Sequence, residues 1–138
     1  DASRLINLSA RSWVGSGSNV LISGFVIEPG APKKILIRAA GPALEEFKVD
    51  GVLDDPELEI VAMGTQQSTV ARNDNWDSPE NAAEIARATA AVGAFAFAPG
   101  SRDAAVLVTL PPGGYTAIVS GRDGTTGVAL VEIYEVVD

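Results

Sequence analysis

Cysteine and histidine are both absent from this 138-residue chain. Their absence excludes disulfides, thiol nucleophiles, imidazole general bases and Cys/His zinc sites together. Basic residues are in deficit: 10 Lys and Arg stand against 18 Asp and Glu, a formal net charge of −8. A nucleic-acid binder needs a basic face to displace counterions from phosphates, so no nucleic-acid partner is expected. Long apolar runs are missing too. The longest are Ala94–Ala98, Ala104–Val108 and Val128–Val131, far short of the roughly 20 residues of a membrane-spanning helix, and no membrane insertion is expected. Asp1-Ala2-Ser3-Arg4 carries no basic-then-apolar signal, which fits a cytosolic protein, one whose leader has been removed, or a sequence that begins after the leader.

What is present is apolar and β-branched. Leu, Ile, Val and Phe make up over a quarter of the chain, too much for a disordered segment. The length suits a single domain over residues 1–138. Gly and Pro fall between apolar runs, as in strands joined by turns. Strands are predicted at Leu5–Leu8, Asn19–Glu28, Lys33–Ala39, Glu57–Met63, Thr69–Asn73, Ala104–Leu110, Tyr115–Ser120 and Gly127–Val136. Pro111-Pro112-Gly113-Gly114 and Gly121-Arg122-Asp123-Gly124 have turn chemistry, so the last three strands read as an antiparallel meander. The expected class is all-β: an antiparallel, jelly-roll-like β-sandwich with one short Ala-rich helix around residues 79–92.

That helix is signalled by Ser78 as N-cap, Pro79 at the first helical position, an Ala-rich stretch through Ala91 and Gly93 as a stop. A second helical turn is expected at Ala43–Phe47, after Pro42. Alternation distinguishes the strands. Glu57 and Glu59 against Leu58, Ile60 and Ala62 describe a half-buried strand. Val20–Ile27, Ala104–Leu110 and Val128–Val137 lack a polar side. Strands apolar on both faces must be covered twice. A helix of about 18 Å covers one such patch, and the remaining apolar surface is expected to meet another molecule.

Several segments resemble a recurring domain of large secreted bacterial proteins. They are Arg4-Leu5-Ile6-Asn7-Leu8-Ser9, Val14-Gly15-Ser16-Gly17 leading into Val20–Ile27, Ile35–Pro42, Asn73-Asp74-Asn75-Trp76, Leu110–Ala117 and Gly127–Tyr134. The second half, with its Asp/Asn turn and Pro-Gly-Gly-Tyr-Thr opening a strand, also resembles bacterial pre-peptidase C-terminal (PPC-like) domains, β-sandwich accessory modules of secreted enzymes. The resemblance implies a secreted, extracellular or cell-surface location. It supplies no catalytic residue.

Candidate sites are few. In Asn73-Asp74-Asn75-Trp76-Asp77-Ser78, oxygen ligands at Asn73, Asn75 and Asp77 with Glu84 following have the spacing of a calcium loop, the one metal or cofactor suggested here. Asn opening the loop, Ser78 in the glycine position and Pro79 depart from that pattern; an Asp/Asn turn capping the helix accounts for the same residues. Trp13 and Trp76 form a sugar-stacking platform if the fold brings them together, and otherwise pack at the core edge. Asp54-Asp55-Pro56-Glu57 and Glu45-Glu46 read as solvated acidic loops, because neighbours on a strand face opposite ways and make a poor glycosidase pair. Lys33, Lys34 and Lys48 lie in turn-like positions unsuited to a Ser–Lys dyad. Val14-Gly15-Ser16-Gly17-Ser18 lacks both the helix of a nucleophile elbow and the lysine of a phosphate loop. Asn7-Leu8-Ser9 spells a glycosylation sequon that means nothing in a bacterial protein. Arg38, between Ile37 and Ala39, is expected to pair with a carboxylate.

Three functions remain. The first is a non-catalytic structural or adhesive module that self-associates or packs with sister domains, as a filament subunit by strand addition. The second is a carbohydrate-binding accessory module for a polysaccharide, assisted by calcium. The third, an enzyme, has no motif behind it. The excess of apolar strand surface favours the first.

Overall fold

The computed structural model describes residues 8–137. Among them run eight strands: β1 (Leu8–Val14), β2 (Leu21–Ile27), β3 (Lys33–Ala40), β4 (Pro56–Ala62), β5 (Ser68–Asn73), β6 (Ala104–Leu110), β7 (Gly113–Gly121) and β8 (Gly127–Glu135). One helix, α1 (Ala82–Ala91), and a 3₁₀ turn at Pro42–Phe47 complete the main elements. Two four-stranded antiparallel sheets result, ordered β1-β8-β3-β6 and β2-β7-β4-β5. The pairings nest: β1 with β8, β2 with β7, β3 with β6 and β4 with β5. This is one long hairpin, bent between β4 and β5 and rolled until β3 meets β8 and β4 meets β7. The fold is an all-β sandwich of jelly-roll topology.

The expected C-terminal meander is incorrect. β6 and β7 are joined through Pro111 and Pro112 yet lie in opposite sheets. A two-residue hairpin needs positive φ at its first central position, which proline cannot adopt. The chain therefore crosses the sandwich, and the Pro111 carbonyl accepts the Tyr115 hydroxyl at 2.6 Å. The first strand also differs from expectation. It runs Leu8–Val14, and residues 5–7 of the expected strand, with Asn7 of the sequon, lie outside the described residues. Trp13, expected in a loop, pairs with Val128. This is an edge strand whose exposed outer row is Ser9, Arg11 and Trp13, so its pattern reads as polar.

The helix begins later than Ser78. Asn81 is its first flanking residue, and the Ser78 carbonyl accepts the N–H groups of Asn81 and Ala82 in a preceding turn. Gly93 ends it as expected, at φ +76°. Ala94 N–H reaches the Thr89 carbonyl and Gly93 N–H the Ala90 carbonyl, a Schellman closure.

Side chains from both sheets fill the central core, among them Phe25, Ile37, Leu58, Ile60, Val119 and Val131. A second core lies outside the first sheet. Leu36, Ala105 and Tyr134, on the outer faces of β3, β6 and β8, meet Leu44, Ile85 and Phe97 from the covering segments. The apolar-on-both-sides character of β6 and β8 is thus satisfied within the chain.

Segment 51–53 lies against β8, with Val128 N–H on the Gly51 carbonyl and Leu53 N–H on the Val128 carbonyl, both at 2.8 Å. Two glycines permit this approach. A Cβ on Gly41 would sit 2.0 Å from the Leu53 carbonyl oxygen, and one on Gly127, at φ +153°, 2.5 Å from that of Val52. We expect Gly41→Ala to cost about 2–3 kcal/mol, as overpacking against rigid backbone does. Gly24→Ala, whose Cβ meets only the Tyr115 carbonyl oxygen at 3.8 Å, leaves stability unchanged or slightly raised. Urea denaturation checks both.

Candidate interaction surfaces

The covering layer outside the first sheet is pinned by a buried charge. Arg38, on the outer face of β3, is fully buried and faces Glu132 of β8 in register. Its Nε and Nη2 donate to Glu132 Oε1 at 2.9 and 2.7 Å, and its Nη1 donates to the Phe95 carbonyl at 2.6 Å. The guanidinium carbon lies 4.5 Å from the Phe95 ring centroid and 4.1 Å from that of Phe97, within cation–π range. Tyr134 donates its hydroxyl to Glu132 Oε2 at 2.7 Å. Burial, then the bond to Glu132 and its negative charge, holds the Tyr134 phenol above its usual range. Asp103, also fully buried, accepts the N–H groups of Gly41 and Ala43 through Oδ1 and the Ser101 hydroxyl through Oδ2. It thereby anchors the start of the 3₁₀ turn. The carboxylate expected for Arg38 is therefore Glu132, and the cluster ties β3 and β8 to segment 95–97.

The residues considered for calcium make backbone contacts. Asn73 Oδ1 accepts Ala105 N–H at 3.0 Å, and its Nδ2 donates to the Asn75 carbonyl at 3.1 Å. Asp77 Oδ2 accepts Gly100 N–H at 2.7 Å. Asn75 is exposed, and Glu84 projects from the first turn of α1, also exposed. These contacts join the ends of β5 and β6, which belong to different sheets, and hold the loop against segment 98–103. Among the described residues no three acidic side chains gather as a metal site.

The two tryptophans are separated. Trp76 is 8% exposed in the second core, its indole N–H on the Ala98 carbonyl and its backbone N–H on that of Asp103. Trp13 is 60% exposed on β1, at the opposite edge of the first sheet from β6. Three strand spacings amount to roughly 14 Å. A platform built from both is corrected to a lone exposed ring, Trp13, and a core ring, Trp76.

Of the acidic loops, Glu45, Glu46 and Asp54 are exposed. Burial pushes the Asp55 carboxyl up, against Arg102 and together with Asp74, while Asp74 itself pairs with Arg122. Nothing in this arrangement sets two carboxylates across a substrate cleft.

The second sheet differs from the first. Its outer face bears Ile22 and Val26 of β2, 59% and 67% exposed, with Ile118 of β7 opposite Ile22. Met63, just beyond β4, is exposed beside them, its N–H on the Gly114 carbonyl. The far half of the face is polar. There Glu59 accepts the Thr69 hydroxyl and pairs with Arg72, contacts that lower its carboxyl pKa. β2 is also an edge strand, and none of its seven residues is charged or proline. Native edges are usually blunted by such residues.

Sheet order and loop placement define an eight-stranded sandwich module with a helix-covered side and a bare one. Similar architecture occurs in the pre-peptidase C-terminal domain of collagenase from Bacillus anthracis, at TM-score 0.54 and 12% identity over 93% of this chain and 89% of that one. The likeness supports the PPC-like sandwich at the level of fold. No protein-family model and no curated protein matches the chain.

Two outcomes are expected for the buried cluster. Arg38→Met alone strands Glu132 and costs about 3–5 kcal/mol, whereas adding Glu132→Leu and Tyr134→Phe recovers most of the loss; urea midpoints distinguish them. The raised Tyr134 pKa favours its neutral form in the folded state. Its contribution is complete below the unfolded value of about 10 and is lost as pH rises beyond it. Tyr134→Phe should flatten that alkaline decline in thermal melts.

Proposed function

We propose that this chain is a non-catalytic, extracellular structural module that self-associates, or packs with sister domains, through β2. One observation carries the proposal: the outer row of β2 exposes Ile22 and Val26 on an uncharged edge strand. Burying each of these side chains fully is worth about 1.5–3 kcal/mol, and the unpaired edge adds main-chain hydrogen bonds to a docking strand. Association costs several kcal/mol of lost rigid-body freedom, and the net charge of −8 repels a second copy. Contact through this surface is therefore weak and concentration-dependent, strengthened by salt screening and by tethering copies together. Strand addition between unlike edges propagates into a filament unless its rotation closes a ring. The resemblance to domains of large secreted bacterial proteins supports an external location, where such modules meet at high local concentration.

Sedimentation over a concentration series, with electron microscopy of the concentrated sample, tests this reading. Association that rises with concentration and weakens at least tenfold in Val26→Lys supports it. A monomer at ~1 mM, where the binding free energy would be only about −4 kcal/mol, overturns it.

Trp13 supports one second reading, binding to polysaccharide, because an exposed indole can stack on a pyranose face. In that case Trp13→Ala abolishes retention on the polysaccharide while Val26→Lys does not.

A further inference from the structure

Between α1 and segment 94–97 lies a cleft of about 170 Å³. Trp76 and Phe97 form its aromatic side, the two rings in tilted contact with each other at 6.2 Å between centroids and 59° between planes. Ala86 and Ala90 of α1 and Ala94 and Ala96 opposite them form the rest, together with Thr89. The space exists because the facing positions carry methyl groups where larger side chains would close the layer.

Thr89 is the polar exception. The residue is 5% exposed, and among the described residues its hydroxyl has no hydrogen-bond partner. Asp55 Oδ1 is the only sealed, unpartnered side-chain oxygen or nitrogen among them, so the Thr89 hydroxyl opens into the cleft that it lines. A hydroxyl in such a place gains from a partner. Water reaches it from the open side, but the walls offer no second polar group to hold that water in place, so an apolar body carrying its own hydroxyl suits the lining better. An apolar cavity of about 150 Å³ is known to accept benzene, so the volume matches a single ring.

We infer that this cleft binds a small neutral molecule with a one-ring apolar body and a single hydroxyl, the ring packed against the Trp76–Phe97 pair and the alanine methyl groups and the hydroxyl on Thr89. No lining residue is charged, which disfavours ionic ligands. The site lies outside the first sheet, away from β2, and does not depend on the self-association proposed above.

Phenol and benzene, titrated into the full chain carrying Trp13→Phe, test the inference with Trp76 as the remaining indole. Saturable change in Trp76 fluorescence is expected with both. Thr89→Val should weaken phenol about two- to tenfold, the worth of one net hydrogen bond, and leave benzene unchanged. Ala90→Leu, at a position whose own surface is exposed, should abolish both while urea melts remain cooperative. Failure of phenol to saturate, equal phenol affinity in Thr89→Val, or undiminished binding in Ala90→Leu overturns the inference.

Discussion

The outer half of this molecule depends on one buried cation. Arg38 sits on the face of β3 that is turned away from the central core, and at full burial its charge is tolerable only with every direction of the guanidinium answered. Glu132 supplies the counter-charge, the Phe95 carbonyl takes another N–H, and the rings of Phe95 and Phe97 flank it. Those partners come from β8 and from a segment without regular structure. Satisfying the charge therefore also fixes segment 95–97 over the sheet, and with it the roof above Leu36, Ala105 and Tyr134.

This explains an asymmetry between the sheets. Both offer apolar side chains on their outer faces, but the first is roofed by α1, the 3₁₀ turn and segment 95–97. The second has no equivalent over β2. The connections between β3 and β4 and between β5 and β6 carry the covering elements, and each rejoins or leaves the first sheet. Jelly-roll nesting places both connections on that side. The other side presents β2 with its uncharged edge and Ile22 and Val26 outward. The same sandwich thus has one face finished by its own chain and another available to a different molecule.

The roof is also imperfectly filled. Alanine suits α1 for close approach and intrinsic helicity, but alanine facing alanine leaves a gap beside Trp76 and Phe97. A hydroxyl at Thr89 then turns a packing gap into a polarised one. The bare β2 face and the alanine-lined cleft arise from opposite causes: apolar surface left uncovered, and covered surface left unfilled.

Most strand positions follow from local pattern. β3 and β6 alternate or run apolar between Pro and Gly, and Gly93 stops the helix because a positive φ there suits glycine best. The need for a second covering layer was legible as well, since Val128, Leu130 and Tyr134 cannot share the central core with Ala129, Val131 and Ile133 on the opposite face of one strand. β1 was not legible, because an exposed edge places Ser9, Arg11 and Trp13 outward and leaves little apolar signal. Nor could the chain show which tryptophan was covered. Trp13 and Trp76 both stand among small polar residues, and only the arrangement of sheets separates an exposed β1 edge from the roofed side. Strands, turns and the surplus of apolar faces were written into the order of residues, because these depend on neighbours within one turn or one strand of each other. That β6 and β7 part company at Pro111, that Arg38 finds Glu132, and that β2 stays bare emerged only from the folded arrangement. Those outcomes depend on pairings between residues far apart in the chain, such as Arg38 and Glu132 at a separation of 94 positions, which no local periodicity encodes.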